Sequence, residues 1–309
     1  MKNFINLKDI PAKDLKKILI DAKKRKAKRK KFNTLDSDKD TPLKGKLLVQ
    51  MFEKSSLRTR LSFYIAIKQL SGGSLTLRTD ELHLNKGGES LVDTAKIIST
   101  FGNAFMLRTD SEKKLDILKK YMTIPLINGL SPMSHPTQVL SDVFTIEDIK
   151  KKPINKLRIC WIGDSNNVLN SLIEASVKFS FNLNIGCPKR YEPNKSLLNW
   201  AKKNNANIQI FNNTKGAAEN CDVIFTDKVV SLNDKVNKAQ KLKAFKKFKV
   251  TKSVLNCAKK NVIFLHCLPR GTEVSNDVFL GKKSKVFEQA LNRIYVQKSI
   301  LLYCFGKLR

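Results

Sequence analysis

A chain of 309 residues, 41% of them hydrophobic, is long enough to bury two cores of ordinary domain size. No apolar run approaches the ~20 residues that span a bilayer, and the start, MKNFINLKDIPAKDL, lacks the apolar segment of a signal peptide, so a membrane or secreted protein is not expected. The formal charge of +32 leaves two readings, a nucleic-acid binder or a chain whose helix faces carry solvated lysines; the excess is spread over the whole length with no aromatic-basic platform, which favours the second.

In chain order, residues 7–31 read as one long amphipathic helix with Leu15, Ile18 and Leu19 on its apolar stripe. Residues 33–43 read as a mobile polar connection. Residues 46–51 (KLLVQM) form a buried strand, 52–60 (FEKSSLRTR) a polar loop, and 61–70 a helix with Phe63, Ala66, Ile67 and Leu70 on one face. Residues 75–79 make a short strand, and 80–89, with paired glycines, a loop that could act as a lid. Helix, strand, helix and strand follow at 90–101, 103–108, 111–121 and 124–128. A further helix opens at Ser134-His135-Pro136 and runs to about Ile149. The polar stretch 150–156 marks a domain boundary. Beyond it, strands at 157–163, 183–187, 208–211, 222–226 and 262–266 alternate with helices at 166–180, 194–205 and 215–220, and a last helix covers 284–305. Strand and helix alternating twice over predicts two α/β domains with parallel sheets.

Several stretches could carry chemistry. A strand, a loop with hydroxyls and a helix start make an anion trap at 52–60, because helix N-termini present free N–H groups and Arg58 can grip phosphate oxygens with two prongs. The competing reading is an ordinary capped helix with surface arginines. Arg108 ends a strand, where open α/β sheets place ligands, although a surface ion pair is an equal alternative. His135 opens a helix. Residues 163–167 (GDSNN) follow a strand but lack the second and third glycines of a dinucleotide loop. Asp227 also ends a strand, and an ionised Asp suits an ammonium. Six cysteines without a C-x-x-C pair read as reduced thiols of a cytoplasmic protein, and three scattered histidines argue against a metal.

Taken together, FEKSSLRTR, NGL with HPTQ, GDSNN, TDKVVSL and HCLP resemble the ornithine carbamoyltransferase family, in family order and over nearly the whole chain. The resemblance implies two doubly wound parallel-sheet domains, joined by a mid-chain helix and by a C-terminal helix that packs back on the first. Residues 1–150 would bind carbamoyl phosphate, 151–285 would bind ornithine, and 286–309 would return to the first domain. Carbamoyl phosphate would meet Ser56, Leu57, Arg58, Thr59, Arg108, His135, Gln138 and Arg293, with His83 reaching a neighbouring subunit's site. Arg108, His135, Cys267 and Arg293 would be catalytic. Ornithine would meet Asn167, Asp227, Ser231, Leu232, Cys267 and Leu268.

The same resemblance implies a homotrimer in arginine and citrulline metabolism, with no metal or organic cofactor. The chain departs from the family pattern at Leu57 (usually Thr), Val229 (Trp), Leu232 (Met) and Leu291 (Glu). The changes at 229 and 232 bear on side-chain selectivity. A carbamoyltransferase for an N-acylornithine or putrescine therefore stays open, as does a basic, non-catalytic relative that binds nucleic acid. Aspartate is disfavoured as substrate because Asp227 would repel a dicarboxylate.

Overall fold

The computed structural model describes residues 2–78, 89–230 and 237–308. The chain divides into two compact units, Met1–Phe144 with Leu291–Arg309, and Thr145–Ala290. Each unit follows from the same local rule. A run apolar on both faces makes a parallel strand, and the amphipathic stretch after it covers that strand as a helix.

The first unit contains α1 (Ala12–Lys28), β1 (Leu47–Phe52), α2 (Leu57–Gln69), β2 (Gly73–Arg78), α3 (Leu91–Phe101), β3 (Ala104–Arg108), α4 (Glu112–Tyr121) and β4 (Leu126–Leu130). All its strand pairs are parallel, in the order β2-β1-β3-β4. Val49, Met51, Phe105, Leu107 and Leu126 pack against Ala95 and Ile98 of α3 and Leu115 and Leu118 of α4. The β3–β4 register shifts between Leu107 and Arg108, so Arg108 pairs with Leu130 and Gly129 is the extra residue. A Cβ at 129 would meet the Met106 sulfur at 2.4 Å and Leu107 O at 3.3 Å, so any larger residue in this bulge must displace the buried Met106 side chain.

Two expectations for this unit need correction. The helix expected over 7–31 begins only at Ala12; Leu7–Asp9 is a separate 3-10 turn and Ile10 is extended. Pro11 causes the break, because its ring pushes the preceding residue out of the helical region. The connection at 33–43 is tied down by ions. Asp38 takes Arg25 at 2.7 Å, Arg29 at 2.9 Å and Lys298 at 2.6 Å, and Asp40 takes Arg25 at 2.9 Å.

The helix α5 (Pro136–Lys150) changes unit between Phe144 and Thr145. The second unit continues with β5 (Arg158–Ile162), α6 (Asn167–Phe179), β6 (Asn182–Gly186), α7 (Lys195–Lys203), β7 (Ile208–Phe211), α8 (Thr214–Ala218) and β8 (Val223–Thr226). Then come α9 (Lys238–Phe245), α10 (Lys252–Cys257), β9 (Ile263–His266), α11 (Asn276–Phe279) and α12 (Val286–Cys304), which changes unit between Ala290 and Leu291. The strands are parallel in the order β7-β6-β5-β8-β9. Short helices α9, α10 and α11 have no counterpart among the predicted elements. Among the described residues, no helix is long and apolar enough to cross a membrane.

Strand order fixes where ligands can sit. The chain winds from β1 to β2 on one side and then restarts with β3 on the other, so the first sheet switches direction between β1 and β3. The second switches between β5 and β8. Crevices open at the carboxyl ends of strands at such points. The loops there are 53–56 with Arg108, and 163–166 with Asp227.

Candidate active site

In the first unit, Ser56 is the N-cap residue of α2 but makes no capping bond to it. Its hydroxyl accepts from Arg108 Nη1 at 3.2 Å. This separates the two readings of the loop, since an ordinary cap would turn the hydroxyl onto its own helix. The side chain of Leu57 is 69% exposed, which leaves its backbone N–H as the group it can offer an anion. Thr59 is buried, and its Oγ1 accepts from Arg293 Nη2 at 2.8 Å. Arg293 Nη1 donates to Gln138 Oε1, and Gln138 Nε2 donates to Asp142 Oδ1 at 2.8 Å. A buried polar chain thus links α2, the first turns of α5 and the part of α12 in this unit. Asn128 fixes the turn before α5, donating to Ser134 Oγ at 2.9 Å and to Ser131 Oγ at 3.2 Å, and so places His135.

Electrostatics make this cluster short of negative charge. Burial pushes the His135 imidazole well below its ordinary value of 6.5, and Arg293, Arg108 and Arg58 push it in the same direction. Burial, then Arg58, pushes the Arg108 guanidinium down to about 10. Its Nε is buried with no hydrogen-bond partner among the described residues. Arg58, Arg108 and Arg293 thus all act on the buried His135, Arg58 also acts on Arg108, and a small dianion bound among them would offset this positive charge.

Glu53 is a positioning residue that the sequence reading quoted without a role. Its carboxylate accepts from Thr109 Oγ1 at 2.6 Å, from Asp110 N at 3.2 Å and from Lys114. Its N–H donates to Arg108 O at 3.0 Å, so the end of β3 is braced where Arg108 leaves it.

In the second unit, Asn166 serves two elements. Its Oδ1 accepts from Val168 N and Leu169 N at 3.0 and 3.1 Å, capping α6, and its Nδ2 donates to Asp227 Oδ2 at 2.9 Å. Asn167 is half-buried on the first turn of α6. Burial pushes the Asp227 carboxyl above its ordinary value of 3.8, against the hydrogen bonds from Lys228 N–H and Asn166. Asp164 is paired with Lys241 of α9 at 2.5 Å. Lys241 is one of the lysines that the charge distribution led us to expect on a solvated helix face, yet it is only 3% exposed; its partner stands 77 residues earlier. Val229, expected to bear on selectivity, packs into this unit's core.

The HCLP loop is set by a hydrogen-bond relay. Leu268 N–H donates to His266 Nδ1 at 2.8 Å, so the ring's proton sits on Nε2 and is donated to Glu273 Oε1 at 2.9 Å. Burial raises the Glu273 carboxyl, but the bonds from His266 and Gly271 N–H outweigh it and hold the group below its ordinary value. The relay holds Leu268 at φ 58°, a costly left-handed conformation for a side-chain-bearing residue, directly after buried Cys267. Nothing in the motif alone identified Glu273. His83, Ser231 and Leu232 lie outside the described residues.

Comparisons with known proteins show the family to which the chain belongs. Residues 2–148 match the family described as "Aspartate/ornithine carbamoyltransferase, carbamoyl-P binding domain", and 155–304 match its "Asp/Orn binding domain". An ornithine carbamoyltransferase of Brucella suis is 39% identical over 98% of this chain and 96% of its own length. The solved ornithine carbamoyltransferase of Pyrococcus furiosus is 34% identical, with a TM-score of 0.91 over 99% of this chain and 97% of that one. The anabolic enzyme of Campylobacter jejuni, also 34% identical, gives 0.88 over 99% and 100%. The chain therefore belongs to the aspartate/ornithine carbamoyltransferase family and is a carbamoyltransferase.

Proposed function

We propose that this enzyme transfers the carbamoyl group of carbamoyl phosphate to the δ-amine of L-ornithine, giving L-citrulline and phosphate. The observation that carries the reading is the Thr59–Arg293–Gln138 chain standing with the Ser56–Arg108 pair in one unit. Ser56, the Leu57 N–H, Arg58 and Thr59 hold the phosphate. Arg108, His135, Gln138 and Arg293 surround the carbonyl. The amine nitrogen attacks the carbonyl carbon, and charge builds on the carbonyl oxygen, where these preorganised donors are worth most. The carbon–oxygen bond to phosphate then breaks, phosphate leaves with the electron pair, and the nitrogen releases a proton to phosphate or water. A neutral His135 donates one N–H without adding to the positive charge.

In the second unit, Asp227 takes the α-ammonium of ornithine, with Asn167 and Ser231 beside it. Cys267 and Leu268 position the δ-amine; no covalent intermediate is required of the thiol, because a neutral amine is already a nucleophile. The choice of ornithine is supported by the names of the relatives at 37–39% identity. The test is citrulline-type product formation with ornithine, N-acetylornithine, putrescine and aspartate side by side. Ornithine is expected to be carbamoylated and the others to react at least about tenfold more slowly, the scale of one misplaced charged contact. A faster reaction with another amine overturns the choice of substrate, and no reaction with any overturns the activity.

The working form we propose is a cytoplasmic homotrimer. Six free thiols fit a reducing compartment. Leu57, Leu61 and Tyr64 leave an exposed apolar stripe on α2, and Leu75 another apolar side chain on edge strand β2. Sedimentation equilibrium is expected to give three times the 35.1 kDa chain mass, and a monomer at micromolar concentration would refute it.

A further inference from the structure

A cavity of about 930 Å³ lies in the first unit, walled by the end of α1, residues 38–42 and Lys307. None of the residues assigned to either substrate lines it. Its acidic groups are already neutralised. Arg25 bonds Asp21 at 3.0 Å, Asp38 at 2.7 Å and Asp40 at 2.9 Å, while Arg29 and Lys298 add to Asp38. Lys24, Lys28, Lys30, Lys31, Lys39 and Lys307 line the same cavity, all exposed, and none is bonded to a carboxylate among the described residues.

The C-terminal dipole of α1 accounts for a cation or two there, but not for six around one concavity. Like charges so gathered repel one another, and the arrangement is relieved only by an anion that meets several of them at once. Ammonium groups are compact point charges that suit phosphate oxygens. Lys24 and Lys28 are neighbours one turn apart, with Lys30 and Lys31 next along the chain, so successive cations can meet successive phosphates of a chain. A half-buried Phe32 with the Arg29 guanidinium 5.2 Å from its ring centre offers one flat face. The volume falls in the range of small-molecule sites, roughly 300–1,000 Å³.

We propose that this cavity binds a small polyphosphate, a chain of three or more linked phosphates, either free or as the tail of a nucleotide. Titration calorimetry of the full chain with inorganic tripolyphosphate and with ATP tests it. Both are expected to bind: about equally if the phosphate chain alone is recognised, with ATP several-fold tighter if Phe32 also meets the base. The variant Lys24→Ala/Lys28→Ala/Lys31→Ala is expected to bind tripolyphosphate at least tenfold more weakly, with unchanged carbamoyl transfer in the absence of polyphosphate. Lys195→Ala/Lys202→Ala/Lys203→Ala, which removes the same charge from exposed positions of α7, is expected to bind like wild type. So is Arg58→Ala. Absence of binding below millimolar, or equal loss in the α7 variant, overturns the proposal in favour of diffuse charge. Loss in Arg58→Ala moves the anion to the β1–α2 loop. Single-stranded RNA bound through the same lysines far more tightly than either probe makes the surface a nucleic-acid face instead.

Discussion

Replacing Arg58 with alanine is expected to lower kcat/KM for carbamoyl phosphate by about 10²-fold or more, the scale of losing one transition-state donor. That is about 2.7 kcal/mol of barrier. Arg58 is half-buried on the first turn of α2, and its charge reaches both Arg108 and His135. In the empty protein this proximity is a cost, since cations repel. In the presence of a dianion it becomes attraction. The variant should therefore gain less in Tm from carbamoyl phosphate than wild type does. His135 is held low by burial before any neighbour acts, so it stays neutral in the variant too. Neither protein should show a rate step near pH 6.5 that belongs to this ring. Initial rates across pH, with melting curves at rising carbamoyl phosphate, read both effects. Activity within a few-fold of wild type, or an undiminished gain in Tm from carbamoyl phosphate, contradicts this account of Arg58.

The anion loop was legible because its parts are local. β1, the hydroxyls and the start of α2 fall within a dozen residues, and the alternation of apolar runs with amphipathic stretches gave each strand within a few residues of its place. Two charges could not be read because their partners stand far along the chain. Asp38 looks like a loop aspartate until Lys298, 260 residues later, is folded against it. Lys241 looks like one more solvated lysine until Asp164 meets it. Glu273 gains a role only because His266 Nδ1 is occupied by Leu268, which forces the other ring nitrogen to donate. Helices α9 to α11 are too short for a helical period to declare itself. The break at Pro11 was available locally and was overridden by the apolar stripe that follows it. For Asp38 and Lys241 the missing information was a long-range pairing of charges, which periodicity does not encode.

Replacing Asp227 with asparagine separates the two halves of the proposed reaction. Asparagine keeps the shape and can still accept from Asn166 through its carbonyl oxygen, so the loop after β8 should hold its place. Only the charge is lost. Hydrogen bonds to charged groups are worth roughly 1.5–3 kcal/mol, so the ornithine KM is expected to rise about 10- to 100-fold. Carbamoyl phosphate affinity should not change, because its proposed donors all belong to the other unit. The sign with pH follows from burial, which raises the Asp227 carboxyl above 3.8. As pH falls through that raised value, the wild-type carboxylate takes up a proton and ornithine binding weakens; the asparagine variant lacks this component. The same burial makes the charged form costly in the fold at neutral pH, and that cost disappears in the variant. Unliganded stability at neutral pH should therefore hold or rise while ornithine affinity falls. A variant that loses stability and both substrates together would mark Asp227 as a structural partner of Asn166. An unchanged ornithine KM would detach the second sheet's switch point from the amine altogether.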